Sequence, residues 1–358
     1  MSSNPSSPSP RRAAARRTAA RRTAARRTAA RRASYAAALS LGLALTSAGL
    51  TGCSTAPGTP GAAGASATMS ASAPASAPAA PGVDSRERLS VDGGTREYLM
   101  HRPAAEGGGP RPLLIAFHGR GADAAQLREQ SGLDKGAGAR GMLLVYPEAL
   151  GKAWGAGSAP SPQRPDPDAD VRFTEALVGE LVRTGRADPH RVYVAGFSNG
   201  GSMALRMAAQ RPDLVAGAVS VSGELPTGAA AVKPTGPVPV LTVYGAEDPV
   251  RPLAGLASPG PAAPGEEPIT PTMSARAGSE AFAAAAGAGA PVEEGKPGYD
   301  SVTWPAGPAG AKVQLLVMHG AGHTWPGSAM TPPAGFGSVS TALDASTTLL
   351  DFLTAHKR

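Results

Sequence analysis

The chain has a single cysteine in 358 residues. That excludes an intramolecular disulfide, so the fold must be held by its core alone. Aromatic residues make up only 4%, which leaves packing mainly to aliphatic side chains and alanine. Acidic residues are missing altogether before Asp84, whereas ten arginines stand in five pairs between Arg11 and Arg32. Removing those ten charges from the formal net charge of +7 leaves −3 for the rest. A mildly acidic body excludes the broad basic face that nucleic-acid binding requires.

Apolar runs are short as well. The uncharged stretch "SYAAALSLGLALTSAGL", Ser34 to Leu50, falls below the roughly 20 residues preferred for a spanning helix. Preceded by the arginine pairs (RRAAA, RRTAA, RRTAA, RRTAA, RRASY) and followed by "LTGC", it has the positive, apolar and small-residue regions of a secretory signal over 1–52. Cys53 stands where the bacterial lipobox places its lipidated cysteine. Ordinary secretion and an uncleaved anchor are the alternatives, and "RRASYAA" keeps too little of the twin-arginine motif to choose an export route. The basic repeat, read alone, is a solvated arm able to touch phosphates. Cleavage before Cys53 removes every arginine pair, so the expected partners are a membrane, through the lipid, and no nucleic acid. Residues 53–84 are largely Ala, Ser, Pro, Gly and Thr and read as a tether. Residues 85–358 are long enough for one α/β domain.

Within that domain, "RERLSVDGGTREYLMHRP" alternates around Asp92-Gly93-Gly94 and predicts an antiparallel hairpin. "PLLIAFHG", "GMLLVYPEA", "HRVYVAGF", "LVAGAVSVSG", "VPVLTVYG" and "KVQLLVMHG" are continuous apolar runs, the pattern of strands buried on both faces. Helices are expected over "DADVRFTEALVGELVRTG", capped by Asp168 or Asp170 and ended by Gly185, and over "NGGSMALRMAAQ", "SARAGSEAFAAAAGA" and "TALDASTTLLDFLTAHK". Strands alternating with helices imply a mostly parallel, doubly wound sheet. Function gathers at the carboxyl ends of its strands.

The chemistry centres on "GFSNGGSMA". With 46 glycines in the chain, a match to G-x-S-x-G is ordinary; context decides it. A buried strand ends just before Ser198 and a small-residue helix begins just after it, the setting of an exposed nucleophile. A loop or helix-cap serine is the plain alternative. Candidates for the base are His319, His323 and His356, which follow the serine in the order expected when a strand-end serine is paired with a later acid and histidine. His323, in the glycine-flanked "GAGHTWPG" beyond a strand end, is preferred over His319 at the strand end and His356 in the last helix. "YGAEDPVRP" offers Asp248 or Glu247 as the orienting acid, with Asp248 preferred because Pro249 fixes the turn after it. The backbone N–H of Asn199 and that of Arg120, in "HGRG", are candidate oxyanion donors. His118 reads as a residue that shapes this loop. No metal or organic cofactor is implied.

In that order and spacing, "HGRG", "GFSNGGSMA", "YGAEDPVRP" and "GAGHTWPG" resemble the extracellular polyhydroxybutyrate depolymerase family, which includes feruloyl and acetylxylan esterases. The resemblance spans Arg86 to Phe352. It implies an α/β-hydrolase fold and an exported serine esterase with Ser198 as nucleophile, Asp248 as acid and His323 as base. The ester substrate would be a short-chain, hydroxyalkanoate, feruloyl or acetyl ester. Many members carry "HGC" where this chain has "HGR". The family's paired aspartates appear as Ala169-Asp170, with only the second kept. No polymer-binding module accompanies the domain, which weighs against a solid polyester as substrate. Trp154 and Trp325 are candidate walls of an acyl or aromatic pocket, with core packing as the alternative. A serine peptidase and a catalytically inactive glycan- or polymer-binding lipoprotein are the competing readings.

Overall fold

The hairpin signalled by Asp92-Gly93 opens the sheet. In the computed structural model, which describes residues 82–104, 108–260 and 267–358, β1 (Val83–Val91) pairs antiparallel with β2 (Gly94–Arg102). Asp92 and Gly93 both have positive φ, 52° and 76°, the turn whose twist matches that of the flanking strands. The export signal over 1–52, Cys53 and most of the tether lie outside the described residues. β1 also starts two residues before the expected boundary at 85. Asp84 already bonds His101 (2.7 Å) and Arg128 (2.5 Å), so sheet pairing and ion pairing begin ahead of it.

The remaining elements follow in chain order: β3 (Arg111–Phe117), α1 (Ala124–Ser131), α2 (Leu133–Ala139), β4 (Leu143–Pro147), α3 (Ala169–Arg183), β5 (Ala187–Phe197), α4 (Asn199–Gln210), β6 (Gly217–Val221), β7 (Val240–Gly245), α5 (Ala275–Ala285), β8 (Val292–Lys296), β9 (Tyr299–Trp304), β10 (Val313–Met318) and α6 (Ala345–Thr354). The sheet order is β1-β2-β4-β3-β5-β6-β7-β10-β9-β8. From β4 to β10 the strands run parallel, with antiparallel hairpins at both edges. This is the mostly parallel, doubly wound sheet of the α/β-hydrolase fold.

The continuous apolar runs follow from two covered faces. Along β3, Leu113, Ile115 and Phe117 join the cluster that buries Phe173 and Leu177 of α3, Met203 and Met207 of α4 and Phe282 of α5. Leu114 and Ala116 point the other way, to Leu127 of α1, Leu133 of α2 and Leu349 and Leu353 of α6. Strand side chains alternate between faces, so a strand covered twice has no polar side.

Two local expectations changed. Asp168 occupies the N-cap position of α3 but makes no capping bond; its carboxylate accepts from the buried Arg206 guanidinium instead. The β8–β9 hairpin was not expected, because "VEEGK" is wholly exposed and carries no apolar alternation. Its sequence signal is the Pro297-Gly298 turn, with Gly298 at φ 83°, the glycine position of a type II turn.

Candidate active site

Ser198 sits between β5 and α4 with φ 55° and ψ −118°. This conformation is strained for any residue with a Cβ, at a cost of about 1–3 kcal/mol. Neighbouring glycines make it attainable. A Cβ on Gly200 would lie 2.0 Å from the Phe117 carbonyl oxygen, and one on Gly196 would lie 2.3 Å from Gly200. The helix start is thus pressed against the end of β3, and the serine is pushed up at the strands' carboxyl edge. The residue is 8% exposed.

His323 and Asp248 come from the loops after β10 and β7. Those strands are parallel neighbours. Their loops touch closely: a Cβ on Gly245 would lie 2.3 Å from the Gly322 carbonyl oxygen. Glu247 N–H also donates to Ala321 O at 3.0 Å. His323 Nε2 lies 2.8 Å from Ser198 Oγ, and His323 Nδ1 lies 2.7 Å from Asp248 Oδ2. Asp248 Oδ1 accepts from the N–H groups of Val250 (2.9 Å) and Arg251 (2.8 Å). One carboxylate oxygen is therefore fixed by backbone and the other is aimed at the imidazole. Glu247, the competing acid, is exposed. His319 is exposed as well and bonds Asp300 at 2.9 Å. His356 lies past the end of α6 rather than within it, because the helix stops at Thr354, and is half-buried; its ring meets Phe352 edge-on at 5.0 Å, and burial holds its pKa below the usual histidine range.

The segments that carry the two candidate oxyanion donors both adjoin Ser198. Asn199 opens α4, and first-turn amides have no acceptor within their own helix. Their end of the helix also favours negative charge. The Arg120 turn is brought in by Gly119, where a Cβ would sit 3.6 Å from Ser198 Cβ. His118 is buried and shapes this turn, with Nδ1 on Gly119 O (2.7 Å) and Nε2 accepting from Ala149 N–H (3.1 Å). Burial also lowers its pKa, consistent with a neutral ring. The Arg120 side chain reaches Glu267 O at 2.6 Å.

Trp154 and Trp325 do not wall an open pocket. They are 2% and 1% exposed. Trp325 Nε1–H donates to Ser346 Oγ at 3.0 Å, within the core under α6. Trp154 is a strut between the His118 turn and the start of α4. Its indole N–H donates to His118 O (2.9 Å), its backbone N–H donates to Asn199 Oδ1 (2.6 Å), and its carbonyl accepts from Asn199 Nδ2–H (3.1 Å). Asp170, the kept aspartate, anchors this strut by accepting from Gly155 N–H at 2.7 Å and Arg96 at 2.8 Å. Arg206, unnoticed in the sequence, is fully buried and donates to the carbonyls of Gly155, Gly157 and Pro167. A charged residue in the middle of α4 gives no sequence sign of such a partner.

Among the described residues, Asp84, His101 and Asp134 bring candidate metal-ligand atoms within 4.8 Å of one another. Arg128 already bonds both carboxylates at 2.5 Å, so the cluster is an ion-pair network.

Glu224, on the loop after β6, is a buried carboxylate beside the site. Oε2 accepts from Thr272 Oγ1 at 2.5 Å, while Oε1 has no hydrogen-bond partner. Burial pushes its pKa up to about 7, partly offset by Thr272 and Arg251. The folded state therefore keeps a proton that the unfolded chain has lost. Stability from this group is full below the unfolded value near 4.5 and declines as pH rises towards 7. Glu224→Gln should raise Tm relative to wild type at pH 8 and converge with it near pH 4.5. A Tm deficit of equal size at both pH values would contradict this account.

A family model described as phospholipase/carboxylesterase matches residues 158–258, which include Ser198 and Asp248. The "putative esterase NocK" of Nocardia uniformis subsp. tsuyamanensis is 42% identical over 289 residues, covering 76% of this chain and 83% of NocK. Feruloyl esterase B of Piromyces equi is 30% identical over 219 residues, 59% of this chain and 39% of that enzyme. Among solved structures, the acetyl xylan esterase from Aspergillus awamori is similar with 17% identity and a TM-score of 0.48, covering 67% of this chain and 94% of that one.

Proposed function

We propose, on the premise that the chain belongs to the esterase family that includes NocK, that it cleaves esters through an acyl-enzyme on Ser198. Membership makes it a carboxylic-ester hydrolase, and the geometry supports the following course. His323 Nε2 takes the proton of Ser198 Oγ as the oxygen attacks the ester carbonyl. The oxyanion is received by the backbone N–H groups of Asn199 and Arg120. Collapse breaks the bond to the alcohol oxygen, which leaves with the proton from His323. Water, deprotonated by His323, then attacks the acyl carbon, and the acid departs as Ser198 regains its proton. Asp248 holds the imidazole in the required tautomer and stabilises its charged form. The carrying observation is the run from Ser198 Oγ to His323 Nε2 (2.8 Å) and from His323 Nδ1 to Asp248 Oδ2 (2.7 Å) on a strained strand-to-helix turn.

The substrates proposed are short-chain, hydroxyalkanoate, feruloyl or acetyl esters, in the manner of the polyhydroxybutyrate depolymerase group that the motifs resemble. Hydrolysis of p-nitrophenyl acetate or butyrate, acetylated xylan, methyl ferulate and hydroxybutyrate oligomers is the test, run beside short peptides. Turnover of at least one ester without peptide cleavage is expected. Peptide cleavage alone would make it a peptidase, and no turnover with intact fold would make it a binding protein. We further propose that residues 1–52 direct export and that Cys53 carries a lipid holding the domain, through residues 53–84, at the outer face of the cytoplasmic membrane. A mature N-terminus other than Cys53 would refute the anchor.

A further inference from the structure

Two aromatic rings meet the His323 imidazole. Phe197, with centroid 5.0 Å away, is buried and immediately precedes Ser198, so it belongs to the floor. Phe336 meets the imidazole edge-on, 5.4 Å away at an interplanar angle of 69°, and is only half-buried.

Phe336 is held there by backbone. Its carbonyl accepts from His323 N–H at 2.6 Å, and Ser338 O accepts from Gly322 N–H and Thr324 Oγ1–H at 3.0 Å each. Gly335 and Gly337 flank it at φ 85° and 83°, conformations that side chains resist. A Cβ on Gly322 would lie 2.1 Å from Phe336 O, and one on Gly337 would lie 2.8 Å from Gly322 Cα. The segment is therefore clasped to the histidine loop, and the ring's place follows that of His323.

The leaving oxygen must come within hydrogen-bond reach of His323 Nε2 to be protonated. The oxyanion turns instead to the Asn199 and Arg120 amides. The carbon group on the leaving oxygen therefore extends along the surroundings of His323, where Phe336 presents partly open apolar surface. We infer that Phe336 forms the wall of the alcohol subsite and selects esters whose alcohol carries an apolar or aryl group over those of methanol or ethanol. This rests on the assignment of Ser198 and His323 as nucleophile and base.

The test compares kcat/KM for acetates of ethanol, hexanol and phenol, then for ethyl acetate, butyrate and hexanoate, in wild type, Phe336→Ala and Phe336→Leu. Each variant is referred to wild type on the same ester, so intrinsic reactivity cancels. Phe336→Ala should cut the preference for hexyl and phenyl over ethyl acetate about tenfold, the scale of a lost apolar contact in a pocket. The preference across acyl chains should persist. Phe336→Leu, which keeps apolar bulk, should retain most of the hexyl preference even if the alanine variant fails to fold. An equal loss on all esters, or a change confined to the acyl series, overturns the inference while leaving the esterase reading intact. A wild-type chain that turns over the earlier ester panel but none of these esters overturns this inference alone, and one that hydrolyses neither set overturns that reading and this inference together.

Discussion

Ser198→Ala is expected to lower kcat for p-nitrophenyl acetate by about 10⁶-fold, the scale seen when a serine hydrolase loses its nucleophile. The reason is chemical. Ser198 Oγ lies 2.8 Å from His323 Nε2, and alanine has no atom there to be acylated. The strained backbone is set by Gly196, Gly200 and the end of β3, not by the hydroxyl. The fold should therefore survive. One lost side-chain hydrogen bond is worth about 1 kcal/mol, and circular dichroism with thermal melting should show a native-like domain. Turnover near the wild-type level in a folded variant would remove Ser198 from the chemistry.

Asp248→Asn should cost about 10⁴-fold in kcat, because an amide in this position sets the wrong tautomer. The local bonds dictate how the asparagine sits. Val250 and Arg251 N–H groups bind Oδ1 and will keep the amide oxygen there. The NH₂ is then aimed at His323 Nδ1, which must become an acceptor, leaving Nε2 protonated and unable to take the serine proton. Glu247→Gln, on an exposed residue, should leave kcat within about twofold, as surface changes usually do. If the glutamine variant is the inactive one, the acid has been assigned to the wrong carboxylate.

Much of this was legible from residue order. The parallel core followed from apolar runs, and the first hairpin from Asp92-Gly93. Ser198, Asp248 and His323 stood out because each follows a buried strand, and parallel strands deliver their carboxyl ends to one edge. Choosing Asp248 over Glu247 rested on a proline; burial and the two backbone bonds to Oδ1 now separate them physically. What was not legible depends on long-range packing. Trp154 became a strut because Asn199 and His118, distant in sequence, present bonding partners to it. Arg206 answers carbonyls about 40–50 residues upstream. Phe336 lies 13 residues beyond His323, in a loop whose only sequence mark is Gly-Phe-Gly. In the β8–β9 hairpin, β8 lacks an apolar side altogether, while β9 buries only Val302 and Trp304 in the core, and the Pro-Gly turn is the clearest sequence mark.

The central claim is that Ser198 is a nucleophile activated by His323. It is tested most directly by treating the folded chain with a fluorophosphonate and mapping the adduct by mass spectrometry. One adduct per chain is predicted, on Ser198, formed at a much lower rate in His323→Ala and absent after denaturation. Labelling of another residue, or labelling at Ser198 that is indifferent to His323, would contradict the account.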